Sequence, residues 1–464
     1  MTALIERLQE IVGSGGWTSD PQDLIPHLTE WRGVYEGRTP IMLKPRSTDE
    51  VVAIVDACAE NNTPIVPQGG NTGMCGGAIP DESGKQVILN LSNLNRIRDV
   101  DAENFSMTVE AGCILAAAQE AAAAAGRYLP LSLGAEGSCQ IGGNIATNAG
   151  GINVGRYGTA RSLVLGLEVV LADGTVMNSL RALRKDTAGY DLKQLFIGSE
   201  GTLGIITAAS LRLFPDPGEM ATALVAIESA GAAVKLLGGL KTKLDDRIES
   251  FELVSRRVFN LVEKHIPNAT IPFAEEYPWY VLIETATGGD PQILENALLQ
   301  EAEHGRLLDA LIAKNSTEAA NLWRLRHSIA EAERQEGKAL KHDISVPLSR
   351  MQEFLLKGDE LLEKLRPDAR LIAFGHVGDG NLHYNVVLPR ELTVEERVTE
   401  GERITRALYD LVDSFNGSFS AEHGVGQSKR AYLASYRAGP ELNLMRSLKN
   451  LLDPANILNP GKVI

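Results

Sequence analysis

The chain has 464 residues, 44% apolar and 23% charged, enough for more than one buried core and too apolar for a disordered protein. Its net charge of −15, with no long basic run, argues against a nucleic-acid partner. No stretch has the length of an apolar bilayer span, and residues 1–13 read as a short amphipathic helix rather than a secretory or organelle leader, since Glu6 and Glu10 sit inside it. The four cysteines, Cys58, Cys75, Cys113 and Cys139, include no C-x-x-C pair, so free thiols in a reducing cytoplasm are expected.

In chain order, apolar Val51, Val52, Ile54, Val55 and Ala57 predict a helix over residues 48–60. A strand over 63–66 follows, then a glycine-rich run, Pro67-Gln68-Gly69-Gly70-Asn71-Thr72-Gly73-Met74. Strands are expected over 87–91 and 107–111, and an Ala-rich helix over 114–125 stopped by Gly126. The longest glycine-rich run covers 133–151, where Gly134, Gly137, Gly142, Gly143, Gly150 and Gly151 alternate with Ser138, Thr147 and Asn148. Asp173-Gly174 between two apolar runs marks a hairpin. A third run, 198–206, holds Glu200, Gly201, Gly204, Ile205 and Ile206. Glycine permits positive φ and close backbone approach, and amides among small side chains form a cradle for an anion such as pyrophosphate.

A strand over 207–214 ends at Pro215-Asp216-Pro217-Gly218, the expected domain boundary. Beyond it, strand-like runs (222–227, 280–284, 371–374, 381–388) alternate with helical ones (230–240, 293–302, 317–334, 348–365, 394–415). This pattern predicts an antiparallel sheet with helices on one side, an α+β layer. The expected division is 1–217, 218–420 and a Pro-punctuated segment, 421–464, that packs back on the body.

Three clusters carry chemistry. In Gly375-His376-Val377-Gly378-Asp379-Gly380-Asn381-Leu382-His383-Tyr384-Asn385, the Asp-Gly turn brings His376 and His383 together at a hairpin mouth. Alternation places His383 and Asn385 on one face. The two imidazoles suit a divalent metal, or a hydrogen-bonded pair. In Ser420-Ala421-Glu422-His423-Gly424-Val425-Gly426, Glu422 offers a hard oxygen ligand and His423 a base. Two His and one carboxylate leave positions open for substrate. Arg326 lies inside an apolar helical stripe of Leu322, Trp323, Ile329 and Ala330, where it needs an anion, either a substrate carboxylate or an internal acid. Lys341 alternates with Asp343 and Ser345 on a polar strand face, with solvent exposure as its simpler state.

With these residues in place, the chain resembles the flavin-linked D-2-hydroxy-acid dehydrogenases of the vanillyl-alcohol-oxidase type, from about Arg38 to Lys462. The resemblance rests on the run 67–74, on Leu183-Arg184-Lys185-Asp186-Thr187-Ala188-Gly189-Tyr190-Asp191-Leu192 continuing through Gly198-Ser199-Glu200-Gly201-Thr202-Leu203-Gly204, and on the two histidine motifs. Lactate and glycolate relatives usually carry Pro-Arg-Gly-Ala-Gly-Thr-Gly where this chain has Pro-Gln-Gly-Gly-Asn-Thr-Gly, which favours the hydroxyglutarate branch.

The resemblance implies an α+β flavin domain of two subdomains, the PCMH type, with a ferredoxin-like substrate domain and a C-terminal helical segment. It implies FAD held by Pro67, Gly69, Gly70, Asn71, Thr72, Gly73 and Met74, by Gly134, Gly137, Ser138, Gly142, Gly143, Thr147, Asn148 and Gly150, and by Glu200, Gly204, Ile205, Ile206 and Asn459. It implies zinc or another divalent metal on His376, His383 and Glu422, His423 as base, and Arg326, Lys341 and Asn385 on the substrate. The implied partners are a small D-2-hydroxy acid and an electron-transfer flavoprotein or quinone as acceptor, and a homodimer is left open. A threonine of the family pattern is Ala330 here, which widens the expected substrates to D-malate. No histidine lies between His27 and His265, so the FAD is expected to be non-covalent. The rival readings are a D-lactate dehydrogenase, an oxygen-using oxidase, and a flavin-free metal hydrolase.

Overall fold

The Ser47 side chain accepts the Glu50 N–H at 3.1 Å and so starts the helix Thr48–Glu60 where its apolar stripe begins. In this computed structural model, which describes residues 2–464, that helix buries Val51, Ile54, Val55, Ala57 and Cys58 in the first of two compact units. The first unit comprises Met1–Gly150, Gly158–Asp216 and Glu422–Ile464, and the second Gly151–Tyr157 and Pro217–Ala421.

The first unit holds two main sheets. In one, Met42–Leu43, Val87–Asn90 and Ile65–Gln68 run parallel in that order, and Trp17–Thr18 adds an antiparallel edge. The strand Ile65–Gln68 delivers the chain straight into the first glycine-rich run. The other sheet is antiparallel, in the order Ile97–Asp101, Ser106–Glu110, Ile205–Arg212, Val164–Val170 and Val176–Ser179. Its last hairpin turns at Asp173-Gly174, with Gly174 at φ +77°. The C-terminal part of the chain joins this unit, for Leu458 bridges Ile65 in parallel.

The second unit is an eight-stranded antiparallel sheet. Met220–Ile227, Trp279–Ala286, Ile248–Ser255, Arg370–Gly375 and Asn381–Val387 lie side by side in that order. Helices cover it on both faces, not one. Leu224, Val254, Tyr280, Leu282 and Phe374 pack against Phe259, Leu322, Leu325 and Ile329, and the intervening Ala223, Val225, Leu253, Val281 and Ile283 are equally buried. The strand Ile248–Ser255, buried at every residue, is absent from the pattern expected of the sequence. Its Glu249, Ser250 and Glu252 break the apolar run that marks such a strand, yet all three are within the core.

The helix expected over 317–334 is two helices, Ser316–His327 and Ile329–Glu336, meeting at Ser328. Because of the break, the inward stripe around Arg326 is Leu322, Leu325 and Ile329, while Ala330 is exposed. Each fully buried leucine or isoleucine here contributes about 1.5–3 kcal/mol. Among the described residues no helix is long and apolar enough to cross a membrane, and all four cysteines are free and buried.

Candidate active site

In the first unit the three glycine-rich runs meet around one cleft. Pro67, Gly69, Gly70, Asn71, Thr72 and Gly73 line it from the first run, Gly142, Gly143 and Thr147 from the second, and Glu200, Gly204, Ile205 and Ile206 from the third. His423 lines the same cleft. Met74, Gly134, Gly137, Ser138, Asn148, Gly150 and Asn459 lie outside this lining. Asn148 instead accepts the Arg161 N–H at 3.0 Å, and the Asn459 amide donates to the carbonyls of Gly77 (2.9 Å) and Glu200 (2.7 Å). The Asn71 side chain faces the protein too, donating to Pro26 and Thr29 carbonyls at 3.0 and 3.1 Å. Gln68, Cys75, Ala111, Gln140 and Asn144 also line the cleft. Their side chains follow no periodicity by which sequence reasoning could single them out.

The glycines have two distinct jobs. A Cβ at Gly142 would come within 2.6 Å of the Ala111 Cβ, and one at Gly204 within 2.5 Å of Val169 Cγ1, so both are required by packing. At Gly73 and Gly143 an added Cβ meets no protein atom within 4 Å. The protein has room for side chains there, and their absence keeps the cleft wall flat for close approach of a ligand. Gln140 adds a buried acceptor, Oε1, with no hydrogen-bond partner. A wall of backbone with an unmet acceptor suits a flavin dinucleotide.

His423 is carried on a loop that turns at Gly424 (φ +75°) and Gly426 (φ +50°). Glu200 fixes that loop. Its carboxylate accepts the amides of Val425 at 2.7 Å and Gly426 at 2.8 Å. Burial pushes the Glu200 carboxyl above its ordinary pKa, against the opposing pull of these two amides. Glu422 Oε1 lies 3.6 Å from His423 Nε2, and both side chains are about one-fifth exposed.

In the second unit the hairpin forms as the Asp-Gly turn predicts. Phe374 faces His383 across the strand pair, Asp379 accepts the Asn381 amide at 3.0 Å, and Gly380 takes φ +89°. The His376 and His383 ring centroids are 5.4 Å apart. Against His376 lies Glu252, fully buried. Its Oε1 is 2.5 Å from His376 Nδ1, and its Oε2 accepts Arg326 Nε at 2.7 Å. Burial raises the Glu252 pKa, but its two hydrogen-bonded partners, His376 and Arg326, outweigh it and hold the carboxyl down at about 2. The Arg326 guanidinium also lies over the Phe374 ring, 4.9 Å from its centroid.

Lys341 and Asn385 share a second buried acid. Glu333 Oε2 accepts Lys341 Nζ at 2.7 Å and Asn385 Nδ2 at 3.1 Å, while Asn385 Oδ1 accepts the His342 amide at 3.1 Å. Lys341 is therefore paired and only 23% exposed along its side chain, rather than free in solvent. Neither Glu252 nor Glu333 emerges from the sequence as a site residue. The signal in each case is an acid inside an otherwise apolar strand or helix face.

A family model described as "FAD binding domain" matches residues 39–179, and one described as "FAD linked oxidases, C-terminal domain" matches residues 216–463. The D-2-hydroxyglutarate dehydrogenase, mitochondrial, of Bos taurus is 41% identical, over 98% of this chain and 82% of that protein. The chain belongs to the FAD-linked D-2-hydroxy-acid dehydrogenases.

Other members of these dehydrogenases extend the likeness. One from Xanthomonas citri pv. viticola, named D-2-hydroxyglutarate dehydrogenase, is 39% identical over 98% of this chain and 96% of its own length. A Schizosaccharomyces pombe protein named as a D-lactate dehydrogenase is 35% identical over 96% and 86%. Among solved structures, p-cresol methylhydroxylase with substrate bound superposes with a TM-score of 0.79 at 16% identity, over 100% of this chain and 96% of that one. Alkyldihydroxyacetonephosphate synthase gives 0.75 at 17% identity, over 99% and 84%. These two share the fold, the PCMH-type flavin-binding architecture. As a member of the FAD-linked D-2-hydroxy-acid dehydrogenases, the chain oxidises a D-2-hydroxy acid with FAD.

Proposed function

We propose that the substrate is D-2-hydroxyglutarate, oxidised to 2-oxoglutarate, with D-malate as a second substrate. One observation carries the choice of an anionic substrate. Glu252 engages Arg326 only through Nε, and among the described residues no protein acceptor meets either terminal amino group of the guanidinium. Two donors on a fixed, half-neutralised cation remain for a carboxylate. The names of the bovine and Xanthomonas relatives, and the Pro-Gln-Gly-Gly-Asn-Thr-Gly run, support the five-carbon acid.

In this reading FAD is bound without a covalent link by the cleft of the first unit, and zinc or another divalent ion by His376, His383 and Glu422. The donor chemistry suits a metal, for two imidazoles with ring centroids 5.4 Å apart and a carboxylate are nitrogen and oxygen donors that a divalent ion takes. When bound, FAD supplies the hydride acceptor and the metal a Lewis acid that lowers the pKa of the substrate hydroxyl. Arg326 and Lys341 bind the substrate's carboxylates, and Asn385 helps orient it. His423 takes the hydroxyl proton on an imidazole nitrogen. Electrons leave to an electron-transfer flavoprotein or a quinone.

The test is a panel of D-2-hydroxy acids with an artificial dye, with and without oxygen. D-2-hydroxyglutarate should give the highest kcat/KM, with D-malate next. Preference for D-lactate, or dye-independent peroxide formation, would replace this reading with the lactate or oxidase alternative. A colourless protein that turns over no hydroxy acid would point to a metal hydrolase.

A further inference from the structure

We propose that Glu252 is the positioning residue of the substrate unit, setting the tautomer of His376 with one carboxylate oxygen and the aim of Arg326 with the other. The inference rests on the reading above, in which His376 binds a metal and Arg326 an anion.

An ionised carboxylate only accepts, so the 2.5 Å contact to Glu252 Oε1 requires the proton of neutral His376 to sit on Nδ1. The lone pair is then on Nε2, the nitrogen turned away from Glu252. A second-layer carboxylate of this kind fixes ring orientation and raises the basicity of the ligating nitrogen. The other oxygen, Oε2, takes Arg326 from the side, at Nε and 2.7 Å. A contact at Nε alone leaves the hydrogens of both terminal amino groups untaken by Glu252. An end-on fork would have consumed them.

Position explains why one acid can do both. Glu252 sits in a strand buried at all eight residues, between Trp279–Ala286 and Arg370–Gly375. It is 74 residues from Arg326 and 124 from His376 in sequence. The central strand therefore joins a helix residue to a hairpin residue through a single rigid group. Any shift of Glu252 moves the metal ligand and the anion clamp together.

Glu252→Gln discriminates sharply. The amide keeps the size but has one accepting atom and one donating group. Arg326 Nε–H can only donate, so the Gln oxygen must face it, and the Gln NH2 must face His376. His376 then has to accept at Nδ1 and carry its proton on Nε2, where the metal would bind. Glu252→Asp keeps both acceptor atoms on a shorter arm.

The experiment has two readouts besides turnover. Zinc affinity is measured by competition with a chromophoric chelator for the parent, Glu252→Gln, Glu252→Asp and His376→Ala, with bound FAD and circular dichroism checking the fold. The expected result is a 10- to 100-fold weaker affinity in Glu252→Gln, with partial recovery in Glu252→Asp. Nitrogen-15 spectra of metal-free parent protein should show His376 protonated on Nδ1, a measurement that needs no variant to fold. His376 protonated on Nε2 in the parent, or parent-like zinc affinity in Glu252→Gln while His376→Ala loses it, overturns the role of Glu252. A parent that binds no zinc but shows the Nδ1–H tautomer overturns the metal reading instead, and leaves the tautomer control standing.

Discussion

The carboxylate of Glu200 accepts the backbone amide of Val425 at 2.7 Å, across 225 residues of sequence. A second bond, to Gly426, makes this acid the clamp of the loop that presents His423 to the flavin cleft. Glu200→Ala would leave two amides without their acceptor, at about 1–3 kcal/mol for each that stays buried. The expected outcome is a lower Tm together with slower flavin reduction. Differential scanning calorimetry and stopped-flow absorbance check it, and a variant unchanged in both would show that the loop holds itself.

The two classes of glycine make a paired prediction. Gly143→Ala should fold as well as the parent, since its Cβ meets open space, yet bind FAD more weakly. Gly142→Ala should lose stability by about 1–3 kcal/mol, the usual cost of overpacking, because its Cβ would press on Ala111. Tm of the apoprotein and FAD titration by fluorescence quenching separate them. Parent-like FAD affinity in Gly143→Ala would mean that this part of the wall does not approach the cofactor.

Arg326 is expected to show two effects at once. Arg326→Ala strips a buried carboxylate of one partner, which costs about 3–5 kcal/mol, and also removes the proposed clamp for the substrate anion. Arg326→Lys keeps a charge beside Glu252 but lacks the planar fork. It should hold most of the stability while KM for D-2-hydroxyglutarate rises about tenfold or more. A Lys variant with parent KM would make Arg326 a structural partner of Glu252 alone.

Lys462 gives a pH signature. It is only 2% exposed, and burial pulls its pKa down to about 8, aided by Arg430 and opposed by Asp81. An unfolded lysine titrates near 10.4, so between about pH 8 and 10 the unfolded chain binds more protons and stability rises with pH. This gain is lost as pH falls through 8. Lys462→Met should be more stable than the parent at pH 7 and should lack the rise, as urea unfolding from pH 7 to 9.5 would show. Parallel curves for the two proteins would contradict it.

What the sequence reveals here follows the range of each interaction. The glycine runs, the Asp379-Gly380 turn and the two histidine motifs are local, so residue type and spacing display them directly. The partners of Arg326, Lys341 and His376 are not local. Glu252 and Glu333 are acids in buried elements, and a carboxylate in an apolar run reads as the end of a strand until its cations are known. The same effect hid the strand Ile248–Ser255, and with it the second covered face of the sheet. The break at Ser328 left Arg326 facing inward but turned Ala330 to solvent, a difference of phase that helical periodicity alone does not register.

His423 lines the flavin cleft, and the role proposed for it is to take the hydroxyl proton as hydride leaves D-2-hydroxyglutarate. The most direct test is anaerobic stopped-flow reduction of the bound flavin against substrate concentration, for the parent and His423→Asn. The expected limiting rate is lower by roughly 10²–10⁴ with apparent affinity nearly unchanged, since a lost general base acts on the transition state and not on binding. Flavin reduction by His423→Asn at close to the parent rate would contradict it.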